Sequence, residues 1–129
     1  MKAMVLCAGY GTRLGELTRE TPKPMLSLLG RPLLSYILAQ LREQGFTNIA
    51  VNLHFRPDVV REYFGDGTRL GVRLEYFEEP TLLGTAGGLK NAARFFRENE
   101  PFLVHYGDIL TDQNFRQMMK QHRERDALV

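Results

Sequence analysis

Four short runs that can be buried, KAMVLC (2–7), NIAVNL (48–53), VRLEYF (72–77) and PFLVHY (101–106), alternate along this chain with stretches of helical periodicity. That alternation is the strongest constraint on the fold. Strands separated by helix-length segments can pair in parallel, and a parallel sheet must be covered on both faces. From Arg31 to Gln44, Leu34, Ile37, Leu38 and Leu41 fall at i, i+3, i+4 and i+7, with Pro32 suited to the first turn and Gly45 to the stop. Pro57 to Phe64 gathers Val60, Tyr63 and Phe64 on one side before Gly65-Asp66-Gly67. In LLGTAGGLKNAARFF (82–96), Thr85 is the expected N-cap, and Leu89, Ala92, Ala93 and Phe96 share a face. A last helix is expected after a cap at Asp112, with Phe115, Met118, Met119 and His122 on its inner side.

These elements predict an α/β fold: a Rossmann-like, mostly parallel sheet with helices on both faces and a ligand crevice at the carboxyl ends of the strands. With 129 residues the chain has room for one domain, 1–129. Its final Ala127-Leu128-Val129 reads as a strand just beginning, so the expectation is a chain truncated inside its sheet.

Composition narrows the function. Seventeen basic and fifteen acidic residues leave a net charge of +2, too small a field for non-specific nucleic-acid binding. One cysteine excludes an intrachain disulfide and suits a reducing compartment. No apolar run approaches the roughly 20 residues that span a bilayer. The expectation is a cytoplasmic protein without nucleic-acid or membrane partners.

Directly after the first run stands A-G-Y-G-T-R-L-G, Ala8 to Gly15, where glycines let backbone N–H groups approach an anion. A dinucleotide fingerprint fails here because Leu14 stands where the third glycine belongs, and a P-loop fails because no lysine follows Gly15. The loop does carry Arg13, and ten residues on Lys23 stands between Pro22 and Pro24, which are expected to hold it extended and stiff. Two fixed cations beside a backbone nest suit a polyphosphate.

The pattern G-x-G-T-R-L followed by P-K-P-M-L resembles the signature of the sugar-phosphate nucleotidylyltransferases, or NDP-sugar pyrophosphorylases. The likeness continues through G-R-P-L-L-S-Y-I-L, V-N-L-H, E-E-P-T-L-L-G-T-A-G-G-L and Y-G-D-I-L, so it covers essentially the whole chain in order. Within the family the L-G-T-A-G-G-L form looks most like mannose-1-phosphate guanylyltransferases, with uridylyl-, thymidylyl- and adenylyltransferases close. The resemblance implies a fold of the nucleotide-diphospho-sugar transferase type. It also implies a magnesium-dependent transfer of a nucleotidyl group from an NTP, GTP by preference, to a sugar 1-phosphate such as mannose 1-phosphate, releasing pyrophosphate. A non-catalytic nucleotide-sensing domain of the same family is the alternative, and a homo-oligomer is left open.

Carried over residue by residue, the resemblance makes Ala8, Gly9, Gly11 and Thr12 donors to the nucleotide phosphates. Arg13 would hold the departing pyrophosphate, and Lys23 the α-phosphate and incoming sugar phosphate. Asn52, Gly87 and Gly88 would contact the base or ribose, and Asp108 would be a magnesium ligand. Further sugar and metal residues are expected past residue 129, so this chain alone should turn over nothing. Cys7 is expected to be a small core residue, and His54, His105 and His122 structural or solvated.

Overall fold

The computed structural model describes residues 1–96 and 100–125, the side chain of Arg13 excepted. Strand β1 (Lys2–Leu6) leads into a 3-10 segment (Thr12–Thr18) and a 3-10 turn (Lys23–Met25). A minimal hairpin, β2 (Ser27–Leu28) and β3 (Arg31–Pro32), precedes helix α1 (Leu33–Glu43). Then follow β4 (Asn48–Leu53), α2 (Pro57–Phe64), β5 (Arg73–Glu78), α3 (Gly84–Asn91), β6 (Leu103–Tyr106) and α4 (Phe115–Glu124). The expected strand at Ala127-Leu128-Val129 lies outside the described residues.

The main sheet has the order β5-β4-β1-β6, and every neighbouring pair runs parallel. Met4 stands opposite both Ala50 and Val104, which sets the register across β1. Because side chains alternate, the two faces of the sheet build separate cores. On one face Val5, Cys7, Ile49, Val51 and Leu53 pack with Leu34, Ile37, Leu38 and Leu41 of α1, Val60 and Phe64 of α2, and Phe115 and Met119 of α4. On the other, Met4, Ala50 and Phe77 pack with Ala92, Leu89, Phe95 and Phe96, from α3 and the 3-10 turn after it. Helical structure therefore covers both faces, as the alternating sequence requires. No helix among the described residues is long and apolar enough to cross a membrane.

Several local expectations need correction. Pro32 sits just before α1, in the hairpin, rather than in the first helical turn. Gly45 does stop that helix: at φ +88° it lets Gly45 N donate to Arg42 O and Phe46 N to Leu41 O, the paired bonds of a Schellman end. Helix α4 is capped by Asn114, whose side chain accepts from Gln117 N at 2.9 Å, and not by Asp112. Met118 faces outward at 38% exposure. Thr85 does not cap α3, which begins after Leu83 without a side-chain cap on itself.

His105 belongs to the α4 face, 6% exposed, its ring edge-on to Phe115 at 5.4 Å. Its Nδ1 has no hydrogen-bond partner among the described residues, and burial holds its pKa below the usual histidine value. The unfolded chain therefore takes up the proton first. This contribution to stability is fully present above the unfolded value of 6.5 and is lost as pH falls through the lower folded value. Urea midpoints are expected to drop between pH 7.5 and 5, and His105→Phe should flatten that slope; an unchanged slope would show that other groups set it.

Candidate functional site

Loops at the carboxyl ends of three strands converge with the Lys23 turn. The segment Cys7–Thr12 follows β1, Glu79–Thr85 follows β5, and Gly107-Asp108 follows β6. Together they border a cleft of about 440 Å³. It lies where the chain order reverses, with β4 on one side of β1 and β6 on the other, the place where open α/β sheets form their crevice.

Ala8, Gly9, Gly11 and Thr12 all line this cleft. Gly11 has φ +65°, and a Cβ there would stand 3.1 Å from the Thr18 methyl and 3.3 Å from Lys23 Cβ. The loop and the lysine stem are thus packed against each other, and Thr18 Oγ1 secures the loop by donating to Gly11 O at 2.9 Å.

The backbone at Lys23 is a 3-10 turn and not the extended segment expected from its flanking prolines. Pro22 is extended, at φ −57° and ψ 140°, but Met25 N donates to Pro22 O at 2.8 Å and closes a turn around the lysine. Pro22 and Pro24 are buried. The base of the side chain is held firmly, and its ammonium rests on Asp108 Oδ2 across the cleft. These two residues, each a candidate through its own motif, are 85 positions apart.

Asp108 is aimed by a tight turn. Gly107 N donates to Leu6 O at 2.8 Å, and a Cβ on Gly107 would strike Cys7 Sγ, so only glycine lets the β6 end lie this close to β1. Cys7 itself is buried, and burial together with the nearby Asp108 charge pushes its thiol pKa far up. It stays a neutral core residue, as expected, and cannot supply a thiolate nucleophile.

Asn52 also lines the cleft, but both ends of its amide are committed to the protein. Its Oδ1 accepts from Cys7 N at 2.8 Å, and its Nδ2 donates to Glu79 Oε1 at 2.7 Å. Glu79 is 2% exposed, and its second oxygen accepts from Leu83 N at 3.0 Å, just before α3 begins. Gly88 backs onto this pair: a Cβ there would lie 2.7 Å from Asn52 Nδ2 and 2.8 Å from Glu79 Oε1. The room left by Gly87 holds the Leu83 side chain, at 2.6 Å from a built Cβ. Of that segment it is Gly84 and Thr85, rather than Gly87 and Gly88, that reach the cleft wall.

Glu79 has no role assigned from sequence, where it stands only within the E-E-P-T-L-L-G-T-A-G-G-L likeness. The usable signal was its position: like Asp108 it stands just past the carboxyl end of a parallel strand. His54 is expected from sequence to be structural or solvated. In the structure its Nδ1 is 2.6 Å from Glu79 O and its Nε2 is 2.6 Å from the Tyr10 hydroxyl.

Among the described residues no three His, Cys, Asp or Glu side chains gather as a metal cluster. Asp108 offers one carboxylate, and the ammonium resting on it shows that the position suits a cation. A hard divalent ion could be held there with phosphate and water completing its shell.

A family model described as Nucleotidyl transferase matches residues 2–129. The chain is 38% identical to the UTP--glucose-1-phosphate uridylyltransferase of Synechocystis over 99% of its own length and 36% of that protein's. It is also 38% identical to the mannose-1-phosphate guanylyltransferase of Mycobacterium tuberculosis, over 97% of this chain and 34% of that one. Among solved structures, HddC from Yersinia pseudotuberculosis complexed with GMP-PN superposes with a TM-score of 0.83 and 26% identity, over 94% of this chain and 53% of that one. The chain thus spans between about a third and about half of the proteins it matches.

Proposed function

The chain belongs to the nucleotidyl transferase family, and from that premise we propose that its cleft binds a nucleoside triphosphate for transfer of the nucleotidyl group to a sugar 1-phosphate, with GTP and mannose 1-phosphate as the pair. The reading rests on one observation: the glycine loop, the Lys23 ammonium and the Asp108 carboxylate meet in a single cleft at the strand ends. Such a transfer needs no protein nucleophile. The sugar phosphate attacks the α-phosphorus in line, and the protein contributes position and charge.

In this reading the N–H groups of the loop from Ala8 to Thr12 cradle the phosphates, and Lys23 neutralises the α-phosphate and the incoming phosphate. Arg13, by resemblance, holds the pyrophosphate as it leaves. Asp108 would hold magnesium, which when bound supplies charge neutralisation to the phosphates. With a nucleotide in the cleft, Lys23 would exchange its carboxylate partner for phosphate oxygens.

Support for guanine comes from Glu79. Guanine presents two adjacent donors, N1–H and N2–H, whereas uracil and thymine present one N–H between two carbonyls, and adenine and cytosine set a donor beside an acceptor. A carboxylate has about four lone-pair sites, and two of those on Glu79 are already used. The remaining capacity matches guanine and is repelled by pyrimidine carbonyls. The relatives named for guanylyl transfer and for a GMP-PN complex are consistent with this choice.

The test is a thermal-shift and NMR series with GTP, UTP, dTTP, CTP and ATP, with and without magnesium. GTP with magnesium is expected to give the largest shift, and Glu79→Gln to reduce its advantage about tenfold, the scale of one charge-assisted hydrogen bond. A larger response to UTP or dTTP would overturn the base assignment, and no response to any nucleotide would overturn the whole reading.

A further inference from the structure

Tyr10 lies between Gly9 and Gly11, inside the loop assigned to phosphates, yet its side chain turns away to the end of β4. Its ring meets His54 edge-on at 4.8 Å, and its hydroxyl is 2.6 Å from His54 Nε2. The other ring nitrogen, Nδ1, is 2.6 Å from the carbonyl oxygen of Glu79. A carbonyl oxygen only accepts, so His54 carries a proton on Nδ1. In the neutral ring Nε2 is then left to accept from the Tyr10 hydroxyl. A continuous chain of bonds therefore runs from the phosphate loop through one imidazole to the backbone of Glu79. A second link runs in parallel from Cys7 N through the Asn52 amide to the Glu79 carboxylate.

We propose that Tyr10 and His54 act as a spacer that sets the distance between the phosphate loop and the segment that reads the base, making them positioning residues for a nucleotide that spans both. This rests on the nucleotide reading above. The argument is geometric. Thr18 and the Lys23 stem hold the Gly11 side of the loop, whereas nothing lies within 4 Å of a Cβ built on Gly9, so on that side Tyr10 is the side chain that ties the loop to the segment at Glu79. That tether ends on the backbone of Glu79, a residue of the cleft wall. A ligand that touches only one of the two subsites is indifferent to their separation, whereas one that touches both is not.

The experiment compares three probes by amide NMR titration with magnesium: GTP, inorganic tripolyphosphate and guanosine. Tyr10→Phe keeps the ring and removes only the hydroxyl, and Tyr10 is 46% exposed, so the fold should persist and a dispersed spectrum will check it. The variant is expected to weaken GTP about fivefold to tenfold, the loss of one hydrogen bond, while tripolyphosphate and guanosine change less than about twofold. Tripolyphosphate should shift the amides of both Gly9 and Gly84 in the parent chain, and the Gly84 shift should shrink in the variant, where only the Asn52 link remains. Tyr10→Phe with His54→Phe should bind GTP no worse than the weaker single variant, since both break one chain. Equal weakening of all three probes would mean a general structural role, and unchanged GTP affinity would mean the hydroxyl sets nothing; either overturns the spacer alone. Failure of the parent chain to bind GTP would instead remove the nucleotide reading and the spacer with it.

Discussion

Replacing Lys23 with alanine is expected to slow nucleotidyl transfer by roughly 100-fold or more in a catalytically complete form of the protein, the scale for losing one preorganised donor to a developing charge. The size of the effect follows from how little freedom the ammonium has. Buried prolines flank its backbone, a 3-10 turn closes around it, and its stem lies against the loop that would hold the phosphates. Little ordering remains to be done when substrate arrives. The same substitution should barely touch stability. Lys23 and Asp108 are each about one-third exposed, so their ion pair contributes at most about 1 kcal/mol. Lys23→Arg should recover only part of the rate, because a planar fork does not reproduce a point charge at this position. The measurement is exchange of labelled pyrophosphate into NTP, read beside an unfolding midpoint. A large rate loss with an unmoved midpoint is the expected pair; a lowered midpoint with an unchanged rate would make the lysine a structural counter-ion only.

What was legible in the sequence divides along a physical line. Elements dictated by local pattern came out close to expectation: β4 at Asn48–Leu53 and α2 at Pro57–Phe64 have the limits read from the residues alone. Elements that depend on who else is nearby did not. The hairpin of Ser27–Leu28 and Arg31–Pro32 has two-residue strands, too short to show a period, and turns through Leu29 at φ +48° and Gly30 at φ +80°. Caps failed for a similar reason. Thr85 and Asp112 are good capping residues, but α3 already begins at Gly84, which puts Thr85 inside it, and Asn114 sits nearer the start of α4. In the site, Lys23 and Asp108 could each be nominated from motif and strand end, whereas their contact needs the fold. Glu79 was hidden more deeply. A carboxylate beside another acid and a proline reads as solvated, and its burial is tolerable because Asn52, contributed by a neighbouring strand, and Leu83 N donate to it.

That dependence yields the largest stability effect expected here. Asn52→Leu preserves the shape of the side chain and removes both of its hydrogen bonds. It would leave Cys7 N without its acceptor and strip Glu79, at 2% exposure, of its amide donor, with only Leu83 N remaining. Orphaning a buried backbone donor costs about 1–3 kcal/mol and weakening the support of a buried carboxylate about 1.5–3 more, so a loss of about 3–5 kcal/mol is expected. Against a total stability of about 5–15 kcal/mol for a domain, that is a severe change, visible as a fall in Tm on the order of 10–20 °C. Adding Glu79→Leu should recover part of it, because two apolar groups face each other without a stranded charge while Cys7 N and Leu83 N are left without their acceptors. The pair of variants also separates two roles for Asn52. Were its amide held in reserve for a nucleotide base, Asn52→Leu would lower nucleotide affinity and leave the ligand-free Tm where it was, and the second substitution would rescue nothing. A fall in the ligand-free Tm, partly reversed by Glu79→Leu, makes Asn52 the clamp that allows an acid to stand buried at the wall of the cleft.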